Sequence, residues 1–306
     1  MTKRKGIILA GGLGTRLRPM TLPISKHLLH VYDKPMIYYS LSLLMFAGIR
    51  EILLISTKHD LNTYRRLLGD GQDWGLTIDY QIQEEPAGIA QAFILGEQFI
   101  GDAAVSLVLG DNILYGDGLP TLLGSAAMQT EGATIFGSIV RDPQRYGIIS
   151  FSEDGKVLDI EEKPQNPQSN YAAIGLYFYD NKVVEYAKSL RPSKRGELEI
   201  TDINRMYLQT DQLNVRVLGR GMAWFDAGTA KSLLDASNYF YSLEDRQGLK
   251  ACCPEEIAWR ANYIDEVTLN KLAKKIGSNE YGSYLMSLIE KKSIPHLPLL
   301  HKEEFV

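Results

Sequence analysis

Only two cysteines occur in the chain, Cys252 and Cys253, and they are sequence neighbours. Adjacent cysteines rarely pair with each other, and two residues supply neither a disulfide framework nor a zinc site. They read as ordinary thiols of a reducing compartment. No run approaches the ~20 apolar residues of a membrane span. Lys3, Arg4 and Lys5 ahead of Gly6–Ala10 imitate a signal peptide, but that apolar core is too short and Arg16 and Arg18 follow at once. A cytoplasmic location and no membrane partner are expected. Positive charge is not in excess either: 33 Lys and Arg stand against 37 Asp and Glu, a net charge of -4. A nucleic-acid binder would want a basic stripe, so no nucleic-acid partner is expected, while a local cationic pocket for a phosphorylated small molecule stays open. Internal repeats, low-complexity tracts and Ser/Gly linkers are also missing.

What is present is a chain of 306 residues, 45% hydrophobic and 23% charged, long enough to bury a core without a staple. Short apolar runs alternate with helical patterns from the start. Gly6–Ala10, Glu51–Ser56, Ile78–Gln83 and Val105–Leu109 read as buried strands, and Met36–Ala47, Asp60–Leu68 and Ile89–Phe99 as helices, the first opened by Pro35 and closed by Gly48. Such alternation implies a mainly parallel sheet with helices on both faces. After about residue 130 the pattern changes. Tyr146–Glu162 reads as a hairpin around Asp154-Gly155, Asn170–Tyr179 and Leu213–Leu218 add strands with a helix near Asn181–Leu190 between them, and the chain reads as helical from Ala230 to about Tyr284. Lys291–Val306 carries two prolines and no periodicity, the pattern of a surface strap or a disordered tail.

The first strand runs into LAGGLGTRLRP, residues 9–19. Gly11, Gly12 and Gly14 let the backbone approach a ligand closely, successive N–H groups form an anion nest, and Arg16 and Arg18 add charge. A phosphate-binding loop is the functional reading, and a plain tight turn is the rival. Leu17 stands where a dinucleotide fingerprint needs its third glycine, and Thr15-Arg16 stands where a Walker loop needs Lys-Ser/Thr.

Together with Ser25-Lys26 and Lys34-Pro35-Met36, this loop resembles the N-terminal signature of the sugar-1-phosphate nucleotidylyltransferases. Lys34–Ser42, Leu68–Gly71, Gly88–Phe93, Leu109–Asn112, Glu161–Pro164, Gly196–Asn204 and Trp224–Thr229 are similar to the glucose-1-phosphate thymidylyltransferase branch of that family, so the resemblance covers residues 3 to about 290. It implies an α/β fold: a Rossmann-like, mainly parallel mixed sheet flanked by helices, with a sugar-binding β insertion and a C-terminal helical appendage. Residues 1–240 would form the nucleotidyltransferase domain, 1–130 its nucleotide-binding half and 131–229 its sugar-binding half. Residues 241–290 would serve assembly and regulation, and 291–306 would be the tail.

The resemblance implies a Mg²⁺-dependent reaction of dTTP with glucose 1-phosphate that yields dTDP-glucose and pyrophosphate, for dTDP-rhamnose or other deoxysugar synthesis. In-line attack on an α-phosphorus needs no protein nucleophile, only two anions held together and neutralised. The backbone of Gly11, Gly12, Gly14 and Thr15, with Arg16, would hold the triphosphate, Lys26 the leaving pyrophosphate, and Lys163 the sugar phosphate. Asp111 and Asp226 would take Mg²⁺, although Asp226 also suits an N-cap. Gln83 and Gly88 would read the pyrimidine, the glutamine offering both donor and acceptor. Tyr146, Gly147, Glu162 and Tyr177 would hold glucose, the tyrosines serving equally as core aromatics. His27 and His30 lie three apart but lack a third metal ligand. By the same resemblance the chain would be a homotetramer inhibited by dTDP-rhamnose at a second site containing Tyr115, Gly116, Gly219, Arg220, Lys250, Glu256 and Arg260. The sequence departs from the common family pattern at His27, His30, Ser40, Glu84–Ile89 and Asn170–Gly175, next to the base and sugar pockets, so dTTP with slack toward UTP is expected.

Overall fold

The computed structural model describes residues 4–290. The first half supplies β1 (Arg4–Leu9), a two-residue pair β2 (His30–Val31) and β3 (Lys34–Pro35), then β4 (Glu51–Ser56), β5 (Thr77–Ile82), β6 (Ala104–Leu109) and β7 (Asn112–Tyr115). The second half adds β8 (Ala133–Ile139), β9 (Gly147–Phe151), β10 (Val157–Glu162), β11 (Tyr171–Tyr179), β12 (Leu213–Val217) and β13 (Ala223–Asp226).

Nine of these strands form one sheet in the order β10-β9-β11-β6-β1-β4-β5, with β8 paired to β11 and β12. β5, β4, β1 and β6 run parallel, which requires a crossover between each pair, and helices such as Ile37–Phe46 and Leu61–Leu68 supply it. β11 joins β6 antiparallel and turns the second half into a mixed sheet built on the hairpin β9–β10. The apolar runs split by strand alternation. Ile8, Ile52, Leu54 and Val108 pack on one face, while Ile7, Leu53, Ile55 and Leu107 pack on the other. A strand buried on both faces therefore reads as a continuous apolar run.

Local differences from the sequence reading have physical causes. The helix expected over Ile89–Phe99 is two short ones, Gln91–Leu95 and Glu97–Ile100, broken at Gly96. A Cβ at Gly96 would press within 3.0 Å of the Ala92 carbonyl and the Ile7 side chain, so the chain must bend where it crosses the sheet closely. Pro35 lies in β3, and the helix begins at Ile37. After β13 the chain is helical: Ala230–Gln247, which runs across residue 240, then Pro254–Arg260, Glu266–Ile276 and Glu280–Glu290. The last two build a small core of Leu269, Ala273, Leu285 and Leu288, against which Trp259 of Pro254–Arg260 packs. The tail expectation for 291–306 falls outside the described residues. Among the described residues no helix is long and apolar enough to cross a membrane.

Candidate active site

Parallel pairing of β1 and β6 places Leu9 opposite Leu109, so both chains leave the sheet at the same end. One exit begins the glycine loop and the other delivers Gly110 and Asp111, with the Gly110 N–H donating to the Leu9 carbonyl at 2.9 Å. Ligands of open α/β sheets bind at these carboxyl ends. Gly12 and Gly14 have φ of 93° and 57°, the left-handed conformations that the loop requires. A Cβ on Gly11 would overlap the side-chain amide of Gln83, which places these two residues together.

Lys26 sits on a single turn after this loop, and its ammonium donates to Asp111 Oδ2. Burial alone would raise the Asp111 carboxyl, but the Lys26 charge overcomes it and holds the group well below the usual carboxylate range. Asp226 reaches the same cleft from the opposite direction. β13 pairs antiparallel with β7, and Asp226 stands opposite Asn112, so two four-residue strands bring both carboxylates to one cleft. Asp226 Oδ2 accepts from Arg145 Nη2 at 2.5 Å and from the Tyr146 hydroxyl at 3.0 Å. Burial pushes the Asp226 carboxyl up, Arg145 draws it back, and the nearby Asp111 charge adds to the rise. The N-cap reading of Asp226 is overturned: Thr229 caps the helix Ala230–Gln247 in a capping box with Ser232.

A cleft of about 510 Å³ joins Arg16, Asp111 and Asp226 to Tyr146, Gly147, Glu162, Lys163 and Tyr177. Lys163 follows β10 with φ of 45°, a left-handed conformation unusual for a side chain of this size, and its N–H donates to the Tyr146 carbonyl at 2.9 Å. The Glu162 carboxylate accepts from the Thr201 hydroxyl at 2.6 Å and lies 3.5 Å from Arg195. Tyr177 is both a core aromatic and a wall of the cleft, with its ring stacked on Tyr179. Gln83 and Gly88 lie outside these walls. Gln83 donates to Gln91 at 2.7 Å, and the loop at Gly88 is stitched to Leu198 by two backbone hydrogen bonds.

Three residues that the sequence reading gave no role also shape the cleft. Asn112 Oδ1 accepts from the Gly175 N–H and from the Trp224 indole, each at 2.8 Å, while its amide donates to Asp111, so one side chain braces three segments. Arg145 and Thr201 join it through the contacts above. Asn112 lay inside a recognised motif, and Arg145 directly precedes Tyr146. His27 is buried, bonded to Ser25 and Tyr64, and pushed down to about 3 by burial and the Lys26 charge, so it is a neutral ring beneath the loop. His30 is exposed, and among the described residues no group of three or more His, Cys, Asp or Glu could hold a metal. Two carboxylates on one cleft, with the Asp111 charge raising Asp226, are instead a hard-oxygen donor set, which fits a Mg²⁺ that completes its shell with phosphate and water.

A second cavity of about 470 Å³ is lined by Tyr115, Gly116, Lys250 and Glu256, and Arg260 holds Glu256 at 2.7 Å. Gly219 and Arg220 are exposed and outside its walls, so the structure does not place them in this cavity. Lys250 is tied to Asp33 and to Glu244. Cys252 and Cys253 are free and buried beside it, and burial pushes the Cys252 thiol up to about 12.

The family model described as nucleotidyl transferase matches residues 5–242. A glucose-1-phosphate thymidylyltransferase of Xanthomonas campestris pv. campestris is 54% identical over 294 residues, covering 96% of this chain and all of that one. The Mycobacterium tuberculosis protein of the same name is 53% identical over 94% of this chain and 99% of its own length. Among solved structures, a Bacillus anthracis protein described as a glucose-1-phosphate thymidylyltransferase, in complex with a sucrose, superposes with a TM-score of 0.72 at 43% identity. That match covers 77% of this chain and 94% of the other. A UDP-glucose pyrophosphorylase shares the fold at 23% identity and a TM-score of 0.68, over 79% of this chain and all of that one.

Proposed function

Because the chain belongs to the nucleotidyl transferase family, we propose that its cleft transfers a thymidylyl group from dTTP to glucose 1-phosphate and releases pyrophosphate. A phosphate oxygen of the sugar phosphate attacks the α-phosphorus in line, one P–O bond forms as the bond to pyrophosphate breaks, and no protein group is modified. Catalysis is then positioning and charge neutralisation. The backbone of Gly11–Thr15 and Arg16 cradle the triphosphate. Lys26 neutralises the departing pyrophosphate, and Lys163 holds the attacking sugar phosphate. Glu162, kept in place by Thr201, accepts from glucose hydroxyls, with Tyr146, Gly147 and Tyr177 as walls. Gln83 and Gly88 set the pyrimidine end.

Asp111 and Asp226 would hold Mg²⁺, which when bound supplies positive charge to the triphosphate oxygens. The observation that carries this reading is the convergence of both carboxylates, Arg16 and Lys163 on one cleft, with Lys26 bonded to Asp111. The product, dTDP-glucose, suits dTDP-rhamnose or another deoxysugar route in the cytoplasm, where nucleotides are made. The second cavity is assigned to feedback binding of dTDP-rhamnose through Tyr115, Gly116, Lys250 and Glu256, with Arg260, Gly219 and Arg220 around it. Assembly is assigned to a homotetramer in which the helices after residue 240 take part.

Pyrophosphate release is measured with Mg²⁺ and glucose 1-phosphate, offering dTTP, UTP, CTP, ATP and GTP in turn. A rate led by dTTP is expected, with UTP second, since one methyl group in a pocket discriminates by about 10- to 200-fold. A UTP preference above about a hundredfold overturns the thymidylyl assignment and keeps the mechanism.

A further inference from the structure

We propose that Arg145 is the resident counter-ion of Asp226, competing with a divalent cation for that carboxylate and yielding it when a substrate phosphate enters the cleft. The inference rests on the reading of Asp226 as a metal ligand.

Arg145 ends the short turn Pro143–Arg145, directly before Tyr146. Its guanidinium is shared between two carboxylates. Nη2 lies 2.5 Å from Asp226 Oδ2 inside the cleft, and Nη1 lies 2.7 Å from Asp142 Oδ2 at the surface. The ring of Tyr146, whose hydroxyl donates to the same Asp226 oxygen, sits 5.1 Å from the guanidinium carbon. The turn Pro143–Arg145 places the start of the side chain, and these contacts share its head between two carboxylates. The Arg145 side chain is 37% exposed against 21% for Asp226, so an incoming anion can reach the guanidinium.

A guanidinium and a divalent ion on one carboxylate repel each other, so Arg145 lowers the affinity of Asp226 for a metal that arrives alone. Arg145 lines the same cleft as Arg16 and Lys163, the residues assigned to phosphate. A phosphate there offers the planar guanidinium two oxygens for the paired hydrogen bonds it prefers. Once the guanidinium moves to that anion, the repulsion at Asp226 falls and the metal binds more tightly. By linkage, the metal must tighten phosphate binding by the same factor. Lys26 on Asp111 is the matching arrangement across the cleft. The chain thus keeps each carboxylate neutralised by its own cation and exchanges both partners when the charged ligands arrive. Arg145 thus acts on the metal through Asp226 and on the substrate through the phosphate it moves to.

The test is direct binding of Mn²⁺ to the full chain, followed by electron paramagnetic resonance of the free ion, with and without glucose 1-phosphate. Arg145→Gln is expected to bind Mn²⁺ alone about five- to tenfold more tightly than the wild type, with Arg145→Lys close to wild type. Glucose 1-phosphate is expected to tighten Mn²⁺ binding in the wild type and much less in Arg145→Gln. Loss of the gain in Arg145→Gln/Asp226→Asn supports the route through Asp226, and its persistence there overturns it. Unchanged or weaker Mn²⁺ binding by Arg145→Gln overturns the proposal, as does equal tightening by glucose 1-phosphate in both proteins. If Asp226→Asn alone leaves Mn²⁺ affinity unchanged, the metal assignment of Asp226 fails, and the proposal with it.

Discussion

Replacing Lys26 by methionine removes one charge from two tasks at once, and the structure separates them. The ammonium donates to Asp111, and the two side chains are only 16% and 14% exposed. Breaking a buried ion pair by deleting one partner costs about 3–5 kcal/mol, because a carboxylate is left in a poorly solvated place. Here Asn112 still donates to Asp111 and some water reaches the pair, which brings the expected loss to about 2–3 kcal/mol. For a chain of this size that is roughly 3–5 °C in Tm. Adding Asp111→Asn removes the stranded charge while keeping the shape, so the double variant should recover most of that Tm. Activity obeys a different rule. A single charged donor on a developing anion is worth about 10²–10³ in rate, so Lys26→Met should lose at least about a hundredfold in kcat. Differential scanning calorimetry and pyrophosphate release read the two effects separately. A Tm unchanged in Lys26→Met would refute the buried pair, and a kcat within about threefold of wild type would refute the role on the leaving group.

Gly88 has φ of 105°, and a Cβ there would collide with the backbone of Leu198. Gly88→Ala should therefore unstitch the loop from Leu198 and raise the KM for dTTP about tenfold, with a smaller change in kcat. Steady-state kinetics check this, and an unchanged KM places the base elsewhere. Arg220 is exposed and outside the cavity walls, so Arg220→Ala should leave the uninhibited rate alone. If Arg220 reaches a bound nucleotide sugar, the variant should weaken inhibition by dTDP-rhamnose several-fold, and unchanged inhibition removes it from that site.

Much of the scaffold is written locally. Ile7 and Ile8 are apolar because β1 is buried on both faces, so a continuous run announces a central parallel strand before any contact is known. The turn at Asp154-Gly155 likewise announces the hairpin β9–β10, since Gly155 adopts φ of 81°. The glycine loop is legible for the same reason: closeness and positive φ demand residues without a Cβ.

Other features have no local signature. β7 and β13 are four residues each, too short for a period, yet their pairing sets Asp226 beside Asn112 and next to Asp111. Whether Asp226 would cap a helix or face the cleft turned on one hydrogen bond, which Thr229 makes instead. Arg145 finds its partner 81 residues away, and Lys26 finds Asp111 across 85. Gly219 and Arg220 read as members of a second site but stand outside its cavity, because β12 and β13 turn them toward solvent. The amino-acid order by itself determined which segments are strands, which loop can hold a phosphate and which residues carry charge. Only the tertiary structure decided which charges meet, because ion pairing depends on distance in space and the sheet brings together chain segments that are far apart in sequence.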